Sequence, residues 1–256
     1  MANIKIGDIN AEFQAAGVQG FYPLFEKYAD DERSGVKKLI EKYKKQLGEY
    51  QDEVARMYQM FEFEREYDDY EYICGIDEVG RGPLAGPVCA GAVILPKNCD
   101  ILYLNDSKQL SAKKREELYE EIIEKAVDWK IAYIDHSIID RVNILNATYR
   151  AMQAAIGELS VKPNLLLNDA VTIPNVNIKQ IPIIKGDAKS ASIAAASIVA
   201  KVSRDRLMEE YDKIYPEYGF AKNKGYGSKQ HTEALKKYGP CKIHRTTFIQ
   251  KILNES

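Results

Sequence analysis

The stretch Gly75-Ile76-Asp77-Glu78-Val79-Gly80-Arg81-Gly82-Pro83-Leu84-Ala85-Gly86-Pro87 decides how the rest of the chain is read. It continues a run, Tyr72 to Asp77, that reads as a buried strand, and it sets two adjacent carboxylates, Asp77 and Glu78, at that strand's end. Ionised carboxylates are costly there unless solvent, a basic group or a bound cation neutralises them. Side chains alternate along a strand, so the two acids can share one site only if the backbone turns between or just after them. The glycines leave three readings open: a hairpin turn with solvated acids, a nucleotide-binding loop, or a turn beside a metal site. The spacing from Gly82 to Gly86 is one residue too long for G-x-G-x-x-G, and no Gly-Lys-Ser/Thr follows. The chain also runs on into a second β-like stretch, Val88 to Leu95, instead of opening a helix, which counts further against the nucleotide loop.

Working outward, Trp129 to Asp135, Asn164 to Asn168 and Ile178 to Ile184 read as three more strands. Ser111 to Val127, Ser137 to Leu159 and Ser190 to Tyr215 read as helices, each opening on Ser, a preferred N-cap. Strands come first and then alternate with helices, which predicts an α/β protein with a mixed sheet and helices packed on it. Two further acids sit at strand ends: Asp169 after Leu165 to Leu167, and Asp187 in Lys185-Gly186-Asp187 after Ile181 to Ile184. A single such Asp is ordinarily a turn or cap residue, but four acids placed this way point to one shared centre, because neighbouring ends of parallel strands converge. All-oxygen ligands favour Mg2+ or Mn2+. The three histidines, His136, His231 and His244, are too scattered in the sequence to suggest zinc.

The first seventy residues have a different texture. From Val36 to Phe61 there is one glycine and no proline, and apolar residues recur at Val36, Ile40, Tyr43, Leu47, Tyr50, Val54, Met57 and Phe61 in steps of four and three. That is a heptad seam, so residues 1–66 are expected to form a helical extension, with the acidic Glu66 to Glu71 as a linker and residues 67–256 as the main domain.

The formal net charge of -2 does not announce a nucleic-acid binder, but the C-terminal part is locally basic: Lys222, Lys224, Lys229, Lys236, Lys237, Lys242, Arg245 and Lys251 are set against Glu233 alone. The four cysteines form no C-x-x-C pair. The N-terminus lacks a basic start with an apolar run, and no stretch approaches the roughly 18 consecutive apolar residues of a membrane span. A cytoplasmic protein with no membrane association is expected.

On these residues the chain resembles bacterial ribonuclease HII. The signature is Asp77-Glu78-Val79-Gly80-Arg81-Gly82, and further blocks follow in family order: Asp106-Ser107-Lys108-x-Leu110, Asn143-Ile144-Leu145-x-Ala147-Thr148, and Lys185-Gly186-Asp187. Ala194-Ala195-Ala196-Ser197-Ile198-x-Ala200-Lys201-Val202-x-Arg204-Asp205 and Asn223-Lys224-Gly225-Tyr226-Gly227-Ser228 complete the match, which covers roughly Tyr72 to Phe248. Two positions depart: Ala170 follows Asp169 where many members have Gly, and Ser228 stands where Thr is common. The resemblance implies a ribonuclease H fold, with three antiparallel strands continuing into a parallel pair to make a five-stranded sheet flanked by helices. It implies a monomeric enzyme that hydrolyses RNA in RNA/DNA hybrids and incises 5′ of single ribonucleotides in duplex DNA with two divalent ions, Mg2+ or Mn2+. Asp77, Glu78, Asp169 and Asp187 become its catalytic and metal-binding residues. Gly80, Arg81 and Gly82 are assigned to the ribose hydroxyl, Tyr226 to the sugar of the following deoxynucleotide, and Lys108, Lys185 and Ser228 to substrate binding. Lys201 and Arg204 read as structural. The related ribonuclease HIII, which carries a β-rich N-terminal platform, fits the helical extension less well; a silent hybrid-binding module or a coiled-coil scaffold would waste the four acids.

Overall fold

The computed structural model describes residues 4–254 and divides into two compact units between Tyr58 and Gln59. The first unit contains α1 (Ile6–Ala16), α2 (Phe21–Lys27) and most of α3 (Ser34–Met60). The seam residues Val36, Ile40, Tyr43 and Leu47 are buried with Ile9, Phe13, Phe21 and Tyr28. At the centre of this cluster the Phe13 and Tyr43 rings stack with centroids 4.4 Å apart. The seam does not stay covered along its whole length, since Val54 is exposed. The reason is length: α3 has 27 residues and rises about 40 Å, whereas α1 has 11.

The second unit opens with a short helix, α4 (Glu62–Glu66), followed by β1 (Ile73–Val79), β2 (Val88–Ile94), α5 (Ala112–Lys125) and β3 (Asp128–Ile134). Then come α6 (His136–Val142), α7 (Ile144–Glu158), β4 (Leu165–Asp169), β5 (Lys179–Ile183), α8 (Ala191–Ile214), α9 (Phe220–Asn223), α10 (Lys229–Tyr238) and α11 (Thr246–Asn254). The sheet order is β3-β2-β1-β4-β5. β1 and β2 pair antiparallel, as do β2 and β3, while β4 runs parallel to both β1 and β5. This is the five-stranded mixed sheet expected from the strand order. Ser111 and Ser190 cap α5 and α8 as predicted, their side chains accepting from Lys114 N and Ile193 N. The single helix predicted from Ser137 to Leu159 is two. Asn143 takes φ 67, a left-handed conformation that Asn tolerates, and its side chain accepts from Asn146 N to start α7, while Asp135 and not Ser137 caps α6.

The two faces of β1 do different jobs. Cys74 and Ile76 point to the face that α7 covers with Ala151, Met152, Ala155 and Ile156. Gly75 and Asp77 point to the opposite face, against α8. A Cβ on Gly75 would lie 2.1 Å from the Ser192 carbonyl, and one on Gly91 would lie 2.5 Å from the Ala196 carbonyl oxygen. The alanine-rich first half of α8, buried from Ala191 to Ala200, therefore rests on bare strand backbone. The Glu64 carboxylate of α4 reaches the start of that helix, accepting from Ser190 Oγ at 2.7 Å and from Ser192 N at 2.8 Å. No helix among the described residues is long and apolar enough to cross a membrane.

Because backbone and not a flexible side chain faces Gly75, Gly75→Ala must push α8 away from the sheet. We expect a loss of roughly 1–3 kcal/mol or more in urea denaturation, the cost of overpacking a core without a cavity to absorb it.

Candidate active site

The four predicted acids come from β1, the end of β4 and the turn after β5. Asp77 is nearly inaccessible, and its Oδ1 accepts from the backbone N–H of Glu78 at 2.7 Å. Glu78 meets the Arg81 guanidinium at 3.2 Å. Asp169 ends β4 and accepts from Gly186 N at 2.7 Å, which ties it to the turn carrying Asp187. That turn is tight: Lys185 is left-handed with φ 57, Gly186 packs against Asp169, and Asp187 is buried.

These groups feel one another. Burial, then Glu78, and also Asp169, hold the Asp77 pKa well above the usual carboxylate range, against a hydrogen bond from Ser197. Burial and Asp169 also raise Glu78, opposed by Arg81 and Lys108. Burial raises Asp187, with Asp106 and Asp169 adding to the effect. Asp106 is an acid that sequence reading passed over, although it stands in the block with Lys108. Lys108 bridges this group, with Nζ 3.9 Å from Asp187 and 4.0 Å from Asp106. Burial works against its charge, but Asp106, Asp77, Asp187 and Asp169 outweigh that and keep its pKa raised. Beneath Asp77, Ser107 and Ser197 share a buried hydrogen bond of 2.9 Å.

Among the described residues, no three His, Cys, Asp or Glu side chains are gathered tightly enough to enclose an ion as they stand. The donor set is nonetheless the one a hard divalent cation takes: carboxylate oxygens, desolvated and mutually repelling, whose raised proton affinity marks a shortage of positive charge.

The glycine turn is built from the opposite charge. Gly80 has φ 86, and a Cβ there would strike the Arg204 side chain at 2.1 Å. Arg204 and Arg245 are fully buried, and both spend their donors on main-chain carbonyls. Arg204 donates to Pro87, Lys224 and Ala85; Arg245 donates to Gly86, Arg81 and Gly80. Neither makes an ion pair among the described residues. Arg245, read from the sequence as part of a basic tract suited to phosphates, is thus corrected to a buried clamp. Arg204, read as structural, packs beneath Gly80 and holds main-chain carbonyls.

Of the other predicted substrate residues, Tyr226 lies beside this turn and Lys108 among the acids. Tyr226 is exposed; the Cβ position of Gly82 is 3.8 Å from its ring, and the Arg204 guanidinium is 6.0 Å from the ring centre. Arg81, Gly82, Lys108 and Lys185 are exposed. Ser228 caps α10 by accepting from His231 N. The departure at position 170 is visible too: Ala170 takes φ 56, where glycine carries no penalty.

Comparison with known proteins gives the family. The profile of the ribonuclease HII family matches residues 74–251, and that of the ribonuclease HII N-terminal domain matches residues 5–68. The chain belongs to the ribonuclease HII family. It is 62% identical to ribonuclease HII of Lachnoclostridium phytofermentans, over 98% of each chain. The ribonuclease H2 structure from Pyrococcus horikoshii superposes with a TM-score of 0.61 at 30% identity, over 72% of this chain and 98% of that one. Bst ribonuclease HIII in complex with Mn2+ shares the fold at 16% identity and TM-score 0.52, over 72% of this chain and 69% of that one. The chain is accordingly a ribonuclease H, an endonuclease acting on nucleic acid, in a family that depends on divalent metal.

Two substitutions test these local geometries. Arg245→Lys keeps the charge but loses the planar fork that reaches three carbonyls, and we expect kcat/KM to fall by about tenfold or more, measured on an RNA/DNA hybrid. Ala170→Gly should instead stabilise the fold by roughly 1 kcal/mol, read as a higher Tm, because it relieves a left-handed alanine.

Proposed function

We propose that this ribonuclease H incises 5′ of single ribonucleotides in duplex DNA, besides cutting RNA in RNA/DNA hybrids, and leaves 3′-hydroxyl and 5′-phosphate ends. The observation that carries this reading is the adjacency of two unlike devices. A cluster of strand-end carboxylates lies directly beside a glycine turn whose backbone is open at Gly82 and faced by the Tyr226 ring. Telling RNA from DNA requires contact with the 2′-hydroxyl, which both donates and accepts hydrogen bonds. Arg81 and Gly82 are exposed and offer main chain to a sugar with no side chain at Gly82, while the buried Gly80 lets Arg204 pack beneath the turn. Tyr226, beside Gly82, supplies a flat apolar face for the deoxyribose of the next nucleotide.

Asp77, Glu78, Asp169 and Asp187 are the residues that would hold divalent cations, two in the active complex, with Mg2+ or Mn2+ matching their hard oxygens. When bound, these ions supply positive charge for the attacking and leaving oxygens of phosphodiester hydrolysis. The chain's own contribution is positional. Glu78 N–H and Gly186 N–H fix the orientations of Asp77 and Asp169. Lys108 and Lys185 offer charge to the flanking phosphates, and Ser228 sets the start of α10 behind Tyr226. The helical unit, residues 1–66 in the sequence reading, serves as an affinity module for the substrate.

A duplex carrying one ribonucleotide tests this directly. We expect a single cut on its 5′ side, mapped by end-labelled products, and a rise in Tm on adding Mg2+ or Mn2+. Asp169→Asn should keep the fold by circular dichroism while turnover falls by about a thousandfold or more. Cleavage at other positions, or a fully active Asp169→Asn variant, would overturn the assignment.

A further inference from the structure

His231 and His244, from α10 and the loop before α11, are buried side by side against the Tyr218 and Phe220 rings. Their nitrogens form one continuous chain. The backbone N–H of Cys241 donates to His244 Nδ1 at 2.9 Å. His244 Nε2 and His231 Nε2 are 3.0 Å apart, and His231 Nδ1 lies 2.8 Å from the Tyr226 carbonyl. The ends of this chain have fixed polarity, because an amide can only donate and a carbonyl can only accept. The protons between them therefore have one arrangement. His244 Nδ1 is bare, its Nε2–H donates to His231 Nε2, and the His231 Nδ1–H donates to Tyr226. Both rings are neutral; an added proton would set two N–H groups against each other. Burial lowers both pKa values, and the neighbouring His231 further depresses His244, to about 4.

What the chain connects is the recognition apparatus. At one end the Tyr226 carbonyl, which also accepts from Ser228 N, anchors the residue whose ring faces Gly82. At the other end His244 immediately precedes Arg245, the clamp on Gly80, Arg81 and Gly86. Backbone hydrogen bonds from Arg245 N to Leu84 O and from Leu84 N to Gly225 O lace both segments to the glycine turn. Apolar side chains would fill the same volume without the cost of desolvating imidazoles. The observed pair adds something they could not, a directed hydrogen bond to the Tyr226 main chain.

We propose that His231 and His244 are positioning residues for substrate recognition, holding Tyr226 at a fixed distance from the Gly80–Gly82 turn. They touch no substrate and act through the two elements they join. The inference rests on the assignment of that turn and Tyr226 to the ribose and its neighbour.

The test compares His244→Leu, which cannot donate, with His244→Gln, whose amide can still donate towards His231. Steady-state kinetics are run below the Tm of each variant, on the single-ribonucleotide duplex and on an RNA/DNA hybrid. His244→Leu should raise KM by about tenfold on the single-ribonucleotide duplex, more than it lowers kcat, and His244→Gln should restore most of it. Long-range 1H–15N spectra of the wild-type protein near neutral pH should find His231 protonated on Nδ1 and His244 on Nε2. An unchanged KM in His244→Leu, equal defects in both variants, or the opposite tautomers would overturn the inference. Failure of the wild type to cut the single-ribonucleotide duplex would sink the functional assignment instead, and the pair's effect is then read from the hybrid KM.

Discussion

Helix α8 lies on the bare backbone of β1 and β2 at Gly75 and Gly91, and the carboxylate cluster depends on that close approach. With a side chain at either glycine the helix would stand off the sheet. Its small residues would lose their packing, and Ser197 would leave Asp77. The same helix carries Arg204 to the underside of Gly80, and its capped start follows directly on the turn holding Asp187. One rigid rod thus sets the carboxylate side and the glycine-turn side of the site relative to each other. Glu64 fastens its first turn, so the final turn of the segment before the sheet belongs to the same construction.

Across this helix the protein separates charge. On the sheet side, carboxylates are desolvated and crowded until several of them resist ionisation. On the side of the glycine turn, two guanidiniums are buried with carbonyls as their partners. Each alone would be an unfavourable use of a folded interior, since isolated buried charge is costly. Side by side they fit an anionic polymer held by divalent cations: one half demands positive charge that the chain does not supply, and the other provides a field that favours phosphate.

The fold was legible from the sequence because its central strands are continuous apolar runs, and a buried strand needs no more signal than that. The acids were legible because charge at the end of such a run is chemically conspicuous. What could not be read followed from geometry that no local pattern carries. Arg204 reads as structural on its alanine-rich helix and Arg245 as one of a basic tract, and only the folded chain shows their donors consumed by loop carbonyls. The helix predicted across Asn143 obeyed the apolar period on both sides, so the break had to be found in a left-handed residue. Val54 continues the heptad in sequence, but the partners of α3 in that unit are too short to cover it.

The histidines mark the same limit from another direction. In sequence, His231 and His244 are separated by thirteen positions and follow no ligand spacing. Their meaning lies in hydrogen-bond direction, which depends on whether a donor or an acceptor stands at each end of the chain. A recognition site for a sugar hydroxyl needs backbone groups held to within a few tenths of an ångström, on a loop that has no regular secondary structure to hold them. Side chains that bond only to main chain are the means available to such a loop. The two buried arginines, whose donors reach the carbonyls of Gly80, Arg81, Ala85 and Gly86, stand in for the ladder that most of the Gly80–Gly86 segment lacks.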